Sequence, residues 1–274
     1  MKHYHLHQKE HQKGQCAYLT FPQLEEQSGL QHLFTTRIGG VSEGYCSSWN
    51  FGARSLDKEE NITRNYEILG EVLGISTEQM VTSAQTHTTN IRVVTAADGG
   101  TGILPNPSFR DVDGLVTNER KLAIITGHAD CNPVYFYDPV KQVIGLAHSG
   151  WKGTLGGISE KMVALMEEQY GSRPKDILAG IGPDLCQDCF EVDRDVADLF
   201  FGRNSAYEQF AYTKGIKTYI DLKSIIGYDL QAAGVLEEHI FDMELCTKEH
   251  GDLFFSHRGQ QGKRGIMAAV MMLE

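Results

Sequence analysis

A series of short apolar and β-branched segments occupies the middle of the chain, and it limits the possible folds more than any other feature. Each segment is four or five residues long, as is typical of β-strands. The predicted central strands are residues 80–84, 91–95, 114–117, 122–126, 134–137 and 143–147. The chain therefore has a β-rich centre.

Helical periodicity occurs on both sides of this centre. Ile62, Tyr66, Leu69 and Leu73 recur at helical spacing, and Gly74 supplies a stop. The predicted helices are residues 59–74, 158–170, 192–200 and 222–233, the last with Asp221 as its N-cap, and the remaining strands are 33–37, 177–181, 253–255 and 266–273. This grouping predicts an α+β single domain with mixed or antiparallel β-sheets flanked by helices.

Domain organisation follows from the length and from the polar start of the chain. A chain of 274 residues can form one large domain. Residues 1–16 are polar and rich in histidine. They could chelate a metal, but a solvated arm is the preferred interpretation. We expect a flexible His-rich arm over 1–16 and a single catalytic domain over 17–274.

Charge and hydropathy limit the partners. The net charge is -11 without a Lys/Arg cluster, so a nucleic-acid partner is not expected and a small molecule is favoured. No apolar run is long enough for a membrane span, and no signal peptide is recognised at the N-terminus. We expect a cytoplasmic protein whose six cysteines are thiols.

Three residues at predicted strand ends could form one reactive centre. His87, Cys131 and His148 each follow or end such a strand. Two imidazoles and a thiolate make a three-ligand zinc set with a free fourth position, as in catalytic zinc sites. Each residue taken alone is more often a packed side chain, and no local spacing motif joins them.

A glycine-rich turn follows His148 and leads into a predicted helix. Small residues such as Gly150 let backbone N–H groups approach a ligand, and a helix N-terminus favours an anion such as phosphate. The G-K-[ST] order of a P-loop is absent. A tight turn that needs glycine for geometry alone is an equal alternative.

Several further polar residues have two interpretations. Cys186 and Cys189 form a Cys-x-x-Cys motif, but without a second pair they are interpreted as buried or incidental thiols. Asp111 and Asp113 are interpreted as turn caps rather than as an acid/base pair. Asp130 could hold a ligand histidine, move a proton or make a structural hydrogen bond.

Many motifs in a fixed order carry a family resemblance that covers most of the chain. They are 34–42 (FTTRIGGVS), 50–52 (NFG), 85–87 (QTH), 111–117 (DVDGLVT), 129–134 (ADCNPV), the turn after His148, 180–183 (GIGP), 189–192 (CFEV), 246–247 (CT) and 254–258 (FFSHR). The chain resembles the YfiH/YlmD/LACC1-type purine nucleoside phosphorylases. That family is also described as polyphenol-oxidase or laccase-domain proteins and includes named peptidoglycan editing factors.

The resemblance implies a ligand set and a reaction. The matching positions make His87, Cys131 and His148 the metal ligands, with Zn²⁺ as the expected cofactor and Cu²⁺ as an alternative. The implied activity is phosphorolysis of adenosine, inosine and methylthioadenosine, with adenosine deamination as a second activity. The implied partners are a purine nucleoside and phosphate. Asp130 is a fourth candidate catalytic residue, and the candidate substrate contacts are Arg37, Asn50, Gly150, Arg258 and Arg264.

The sequence departs from the family pattern in a few places. Thr88 replaces a glycine after the first ligand, and His128 replaces a usually uncharged residue. The C-terminal arginine pattern is also altered around Arg258 and Arg264.

Three other functions stay open at this stage. Cys131 could be a nucleophile with His148 as its base, in a thiol hydrolase that edits peptidoglycan precursors. Copper-dependent polyphenol oxidation would need a cluster of many histidines, which His32, His239 and His250 do not form in any pairwise ligand pattern. A binding subunit without turnover is the non-enzymatic alternative.

Overall fold

The computed structural model describes residues 3–12, 14–52, 55–103 and 106–274. The strands are β1 (His5–His11), β2 (Gly14–Thr20), β3 (Leu30–Thr35), β4 (Met80–Ala84), β5 (Ile91–Val93), β6 (Phe109–Arg110), β7 (Gly114–Thr117), β8 (Ala123–His128), β9 (Asn132–Asp138), β10 (Val143–Ser149), β11 (Leu178–Ile181), β12 (Glu191–Val192), β13 (Ala211–Lys214), β14 (Lys217–Ile220), β15 (Ile240–Asp242) and β16 (Met267–Leu273). The helices are α1 (Pro22–Glu25), α2 (Glu59–Leu73), α3 (Trp151–Leu155), α4 (Ile158–Tyr170), α5 (Arg194–Arg203) and α6 (Leu222–Ala232).

The strands form two large mixed sheets and one small sheet. The first has the order β1-β2-β3-β16-β8-β4-β6, and the second has the order β15-β11-β9-β10-β7-β5. Most neighbours are antiparallel, but β4 runs parallel to β8 and β6, β5 runs parallel to β7, and β11 runs parallel to β15. The small sheet is β12-β14-β13. The predicted α+β single domain with mixed and antiparallel sheets is confirmed.

Strand β16 shows why its apolar run is continuous. Met271 lies in the core between the two large sheets, whereas Val270 packs in the cluster on the opposite face of the first sheet. Successive side chains of a strand point to opposite faces, so a strand covered on both faces needs apolar residues at every position.

Helices cover the outer faces of both large sheets. Ile62 and Leu69 of α2 pack in one cluster with Val270 of the first sheet. Met162 of α4 packs with Phe136 of the second sheet, and α6 joins the same cluster. The architecture is therefore helix, sheet, sheet and helix, and it buries apolar side chains in three successive layers.

The predicted ends of two helices are confirmed. Gly74 caps α2 with a left-handed φ of 73°, which glycine adopts without strain. The Asp221 side chain caps α6 by accepting a hydrogen bond from the Ser224 N–H. Helix α5 begins at Arg194, later than predicted, because Val192 pairs with Thr218 in the small sheet.

The N-terminal segment differs from the expected flexible arm. Residues 5–11 form β1, which pairs with β2 along its whole length and so extends the first sheet. Glu25 holds His5 and His7 through hydrogen bonds of 2.6 and 2.8 Å. Backbone pairing and this carboxylate order the polar segment, although it contributes few buried side chains. Residues 1, 2 and 13 of the predicted arm lie outside the described residues.

The predicted strand at 253–255 is wrong. Phe254 and Phe255 are fully buried, as their apolar character indicates, but they lie in an irregular segment. Its backbone is satisfied by single bonds: the Leu253 carbonyl accepts from the Arg37 N–H, and the Phe255 N–H donates to the Met267 sulfur. The apolar character of this segment indicates that its side chains are buried, but it does not indicate whether a neighbouring strand pairs with its backbone.

None of the described helices is both long enough and apolar enough to span a bilayer.

Candidate metal centre and cavity

The three proposed ligands meet where the two large sheets join. His87 follows β4, Cys131 lies in the link from β8 to β9, and His148 lies near the end of β10. The link from β8 to β9 passes from the first sheet to the second. It therefore places Cys131 between His87, which follows a strand of the first sheet, and His148, which lies near the end of a strand of the second sheet.

The distances within this group suit a common ligand. The Cys131 Sγ lies 3.8 Å from the His87 Nε2. One ligand atom from each of His87, Cys131 and His148 lies within 4.8 Å of the others, and the two imidazole rings have centroids 5.0 Å apart. His87 is exposed and His148 is buried, so the group opens on one side.

Asp113 holds the imidazole of His148 and the backbone of His87. Its Oδ1 accepts from the His148 Nδ1 at 2.9 Å and from the His87 backbone N–H at 3.0 Å. Its Oδ2 accepts from the Thr88 N–H at 2.8 Å and from the Thr88 hydroxyl at 2.7 Å. With Nδ1 engaged, the Nε2 of His148 is left for a metal, which is how carboxylates orient ligand histidines. The turn-cap interpretation missed this histidine contact, and full burial of an aspartate is the signal that reveals it.

The proton equilibria of the group favour a thiolate. Burial acts to raise the pKa of Cys131, but the charge on His148 and hydrogen bonds from His148 and His87 lower it to about 6. Burial acts to lower the pKa of His148, but the Cys131 charge and the Asp113 carboxylate raise it to about 9. A thiolate is the form of cysteine that binds metals or attacks electrophiles.

Asp130 does not hold a ligand histidine. Its carboxylate accepts from the Thr247 hydroxyl at 2.7 Å and from the Arg258 backbone N–H at 2.6 Å. The holding interaction belongs to Asp113 instead. Asp130 does line the cavity described next, so a role in proton transfer stays a prediction.

A cavity of about 670 Å³ opens over the three candidate ligands. Aromatic side chains contribute much of its wall: Phe51, Tyr66, Trp151 and Phe190. Gly150, Arg258 and Arg264 also line it. Its size is within the usual range for small-molecule sites, which are mostly apolar with a few placed polar groups.

The two cavity arginines differ in their partners. The Arg258 guanidinium lies 3.7 Å from the Glu191 carboxylate and is partly exposed. The Nε of Arg264 is buried and has no hydrogen-bond partner among the described residues. Burial lowers the pKa of Arg264, opposed by the charges of Asp130 and Cys131. Arg264 therefore keeps hydrogen-bond donor capacity that no described residue uses at its Nε.

The structure does not bring Arg37 or Asn50 into the cavity lining. The Arg37 guanidinium donates to the carbonyls of Ser47 and Gly251 and lies over the Phe255 ring. Asn50 is fully buried, and its Oδ1 accepts from the N–H groups of Gly52 and Ile266. Asn50 thus lies outside the cavity lining and fixes the backbone of two lining residues, Gly52 and Ile266.

The residues that depart from the family pattern have partners. The Thr88 hydroxyl bonds to Asp113, as described above. His128 is buried with its Nδ1 on the Cys131 carbonyl and its Nε2 on the Thr126 hydroxyl. Both ring nitrogens are engaged, so His128 shapes the Cys131 turn and adds no ligand.

Comparison with known proteins identifies the family. The family described as "Multi-copper polyphenol oxidoreductase laccase" matches residues 31–274. The chain belongs to this family. Within it, the purine nucleoside phosphorylase YlmD of Bacillus subtilis (strain 168) is 36% identical over 240 residues, covering 87% of this chain and 86% of the relative.

Solved structures in the family have the same fold. The crystal structure of the Bacillus licheniformis hypothetical protein YfiH matches with a TM-score of 0.88 and 35% identity, covering 94% of this chain and 96% of that one. YlmD from Geobacillus stearothermophilus matches with a TM-score of 0.87 and 32% identity, covering 97% and 98%. The predicted family resemblance is confirmed.

The donor set fits a metal ion. Two imidazoles and a thiolate suit Zn²⁺, and they also suit copper. Among residues 3–12, 14–52, 55–103 and 106–274, no candidate metal group has more than two histidines.

Proposed function

We propose that this family member is a zinc-dependent purine nucleoside phosphorylase that cleaves adenosine, inosine and methylthioadenosine with phosphate, and that it deaminates adenosine as a second activity. The observation that carries the proposal is the open His87, Cys131 and His148 group at the floor of an aromatic-walled cavity. Relatives named as purine nucleoside phosphorylases support the same reaction class.

The cavity offers the contacts that both reactants need. Phe51, Tyr66, Trp151 and Phe190 provide aromatic faces for a purine ring, since bases stack on such side chains. Phosphate carries negative charge, which the guanidinium of the cavity-lining Arg264 can complement. Helix α3 has only five residues, so we assign the anion to the arginine rather than to a helix N-terminus.

Phosphorolysis exchanges one bond for another at the sugar. A phosphate oxygen forms a bond to C1′ of the ribose while the C1′–N9 bond breaks, and the bond pair leaves with the purine. The base then takes up a proton. Arg264 would hold phosphate on one side of the sugar, and the cavity walls would exclude water, which otherwise competes for C1′.

When bound, zinc supplies Lewis-acid chemistry that makes water acidic near neutral pH, which suits deamination at C6 of adenosine. His87, Cys131 and His148 would hold the ion, and Asp113 would keep His148 in the ligating tautomer. Asp130, which lines the cavity, would hold or move a proton there.

The experiment is a nucleoside panel analysed by mass spectrometry, with and without phosphate. Inosine and phosphate should yield hypoxanthine and ribose 1-phosphate, and adenosine should also yield inosine and ammonia. Activity should disappear after chelation and return with Zn²⁺. Equal product without phosphate, or no turnover of any purine nucleoside, would contradict the assignment.

One observation favours a second candidate, a thiol hydrolase. The lowered pKa of Cys131 beside His148 also describes a cysteine nucleophile with its base. In that case chelation leaves activity intact, His87→Ala is tolerated, and substrate is trapped covalently on Cys131. If Cys131 is a ligand, Ala at Cys131, His87 or His148 lowers bound zinc and activity together.

The two cavity arginines provide a prediction about phosphate. Arg264→Ala should raise the KM for phosphate more than Arg258→Ala, because Arg258 already faces Glu191 whereas the Arg264 Nε has no partner. Loss of a charge-assisted bond predicts roughly a 10-fold change or more. Phosphate titration at saturating inosine measures it, and adenosine deamination is the internal control. Equal increases in the KM for phosphate in the two variants would contradict the assignment of phosphate to Arg264 rather than to Arg258.

A further inference from the structure

A second cluster of ligand-type side chains lies outside the three residues discussed so far. It contains Cys186, Cys189, Cys246 and Glu249, and one ligand atom of each lies within 4.8 Å of the others. All three cysteines are free thiols. Two of them are buried, Cys186 is partly buried, and Glu249 is exposed.

Tertiary structure brings this cluster together from two distant segments. Cys186 precedes and Cys189 ends a 3-10 turn between β11 and β12, whereas Cys246 follows β15. A parallel bridge between Asp184 and Cys246 joins the segments. The Thr247 N–H reinforces it by donating to the Asp184 carbonyl at 2.7 Å. The backbone therefore fixes the third cysteine beside the Cys-x-x-Cys pair.

The fourth group comes from the turn that follows Cys246. The His250 N–H donates to the Cys246 carbonyl at 3.0 Å, which closes a helical turn over these residues. Residues three apart on such a turn are neighbours, so Glu249 lies beside Cys246. Its Oε1 lies 3.8 Å from the Cys186 Sγ and 3.9 Å from the Cys189 Sγ.

We propose that Cys186, Cys189, Cys246 and Glu249 form a second, closed zinc site that is structural and separate from the His87, Cys131 and His148 group. Tetrahedral zinc, with bonds of about 2.3 Å to sulfur and about 2.1 Å to oxygen, separates a sulfur ligand from a carboxylate oxygen by roughly 3.6 Å. The carboxylate-to-sulfur distances are already close to that value. Thiolate ligands also select zinc over magnesium or calcium.

Four protein ligands leave no open position, so this ion supports structure rather than substrate. Leu185 and Phe190, which flank the cysteine pair, both line the cavity. Thr247, next to Cys246, donates to Asp130, which also lines the cavity. A bound ion would clamp the two segments that shape this wall.

Metal stoichiometry is the direct measurement. Elemental analysis of the purified full chain should find about two zinc ions per molecule. Cys186→Ser and Cys131→Ala should each retain about one, and the double variant should retain almost none. Cys16→Ala is the matched control, because Cys16 is a free cysteine outside both groups, and it should keep both ions.

Cobalt distinguishes this site from the first one. In the Cys131→Ala background, added Co²⁺ should show thiolate charge-transfer and tetrahedral absorption bands, and adding Cys186→Ser should remove or strongly weaken them. This readout depends on neither nucleoside turnover nor the first metal group, so either proposal can fail alone. Absence of the bands in the Cys131→Ala protein would overturn the second site.

Thiol accessibility provides a measurement without any substitution. Alkylation of Cys186, located by peptide mass, should be slow in the zinc-loaded wild-type protein and several-fold faster after chelation. Equal rates would overturn the proposal. A disulfide between Cys186 and Cys189 in protein purified without oxidant would do the same.

Discussion

Asp113 controls the geometry of the candidate metal group through both of its carboxylate oxygens. One oxygen holds the His148 ring and the His87 backbone, and the other holds Thr88. Burial alone would raise the pKa of Asp113, but the His148 and Thr88 hydrogen bonds lower it to about 2. The carboxylate is therefore ionised throughout the range in which the protein would work.

Replacing Asp113 with Asn should weaken zinc binding and lower kcat/KM together, by roughly 10- to 100-fold. The amide has one acceptor oxygen in place of two, so the tautomer of His148 is no longer fixed. Competition with a chromogenic chelator measures zinc affinity, and a pH profile of kcat/KM reports the state of His148. Asp111→Asn is the matched control, since Asp111 is exposed and its carboxylate accepts from the Thr86 hydroxyl rather than from the ring of a ligand histidine. An Asp113→Asn protein with wild-type zinc affinity would contradict the positioning role.

At the scale of elements, the turn from β10 into α3 approaches the metal group closely. Gly150 has a φ of -71°, a conformation that any residue adopts, so its glycine is not required by the backbone. Glycine is required here because there is no space for a side chain. A Cβ at this position would lie 2.8 Å from the Cys131 Sγ and 2.9 Å from the His87 Cδ2.

Gly150→Ala should therefore impair the site while leaving the fold intact. The exposed His87 ring would have to move, and displacement of a reacting geometry by about 1 Å costs on the order of 100-fold in rate. Zinc content, kcat/KM and Tm are the measurements. Gly202→Ala in α5 is the control, because its Cβ would meet nothing within 4 Å. It should leave activity unchanged and raise stability by about 0.5–1 kcal/mol. Full activity of Gly150→Ala would show that the site tolerates the methyl group.

At the scale of the whole molecule, His32 lies at one of the contacts between the two large sheets. This histidine, on β3, stacks with Phe21 and approaches Tyr135 of the second sheet edge-on. Its Nε2 accepts from the Phe21 N–H at 2.8 Å, which requires an unprotonated nitrogen. Burial lowers the pKa of His32 to about 4.

The free energy of unfolding should fall as the pH decreases from 6.5 to about 4. The unfolded chain takes up the His32 proton near pH 6.5, but the folded protein resists it until about pH 4, so the unfolded state binds more protons in between. The loss from this group is at most about 3 kcal/mol. Urea unfolding of wild type and His32→Gln should show a steeper decline for wild type between pH 6.5 and 4, because glutamine accepts the same bond without titrating.

Exposed His3 provides the comparison for that experiment. The His3→Gln protein should keep the wild-type slope, since carboxylates that titrate in the same window are common to all three proteins. Parallel curves for His32→Gln and wild type would show that His32 does not control acid stability.

Local sequence patterns predicted the helices and strands whose side chains are buried at a regular period along the chain. The 3.6-residue period of α2 and the unbroken apolar run of β16 each record burial directly in sequence. The motif order likewise marked His87, Cys131 and His148. Strand β1 gave no such signal, because backbone pairing rather than side-chain burial places it in the sheet.

Only the tertiary structure decided which polar groups face one another. It placed Asp113 rather than Asp130 on His148, left the Nε of the cavity residue Arg264 without a partner, and brought Cys246 to Cys186 across 60 residues. The physical reason is the range of the interaction. Periodicity reports whether a side chain is buried, whereas its partner is set by sheet register and by links between sheets, which no local pattern encodes.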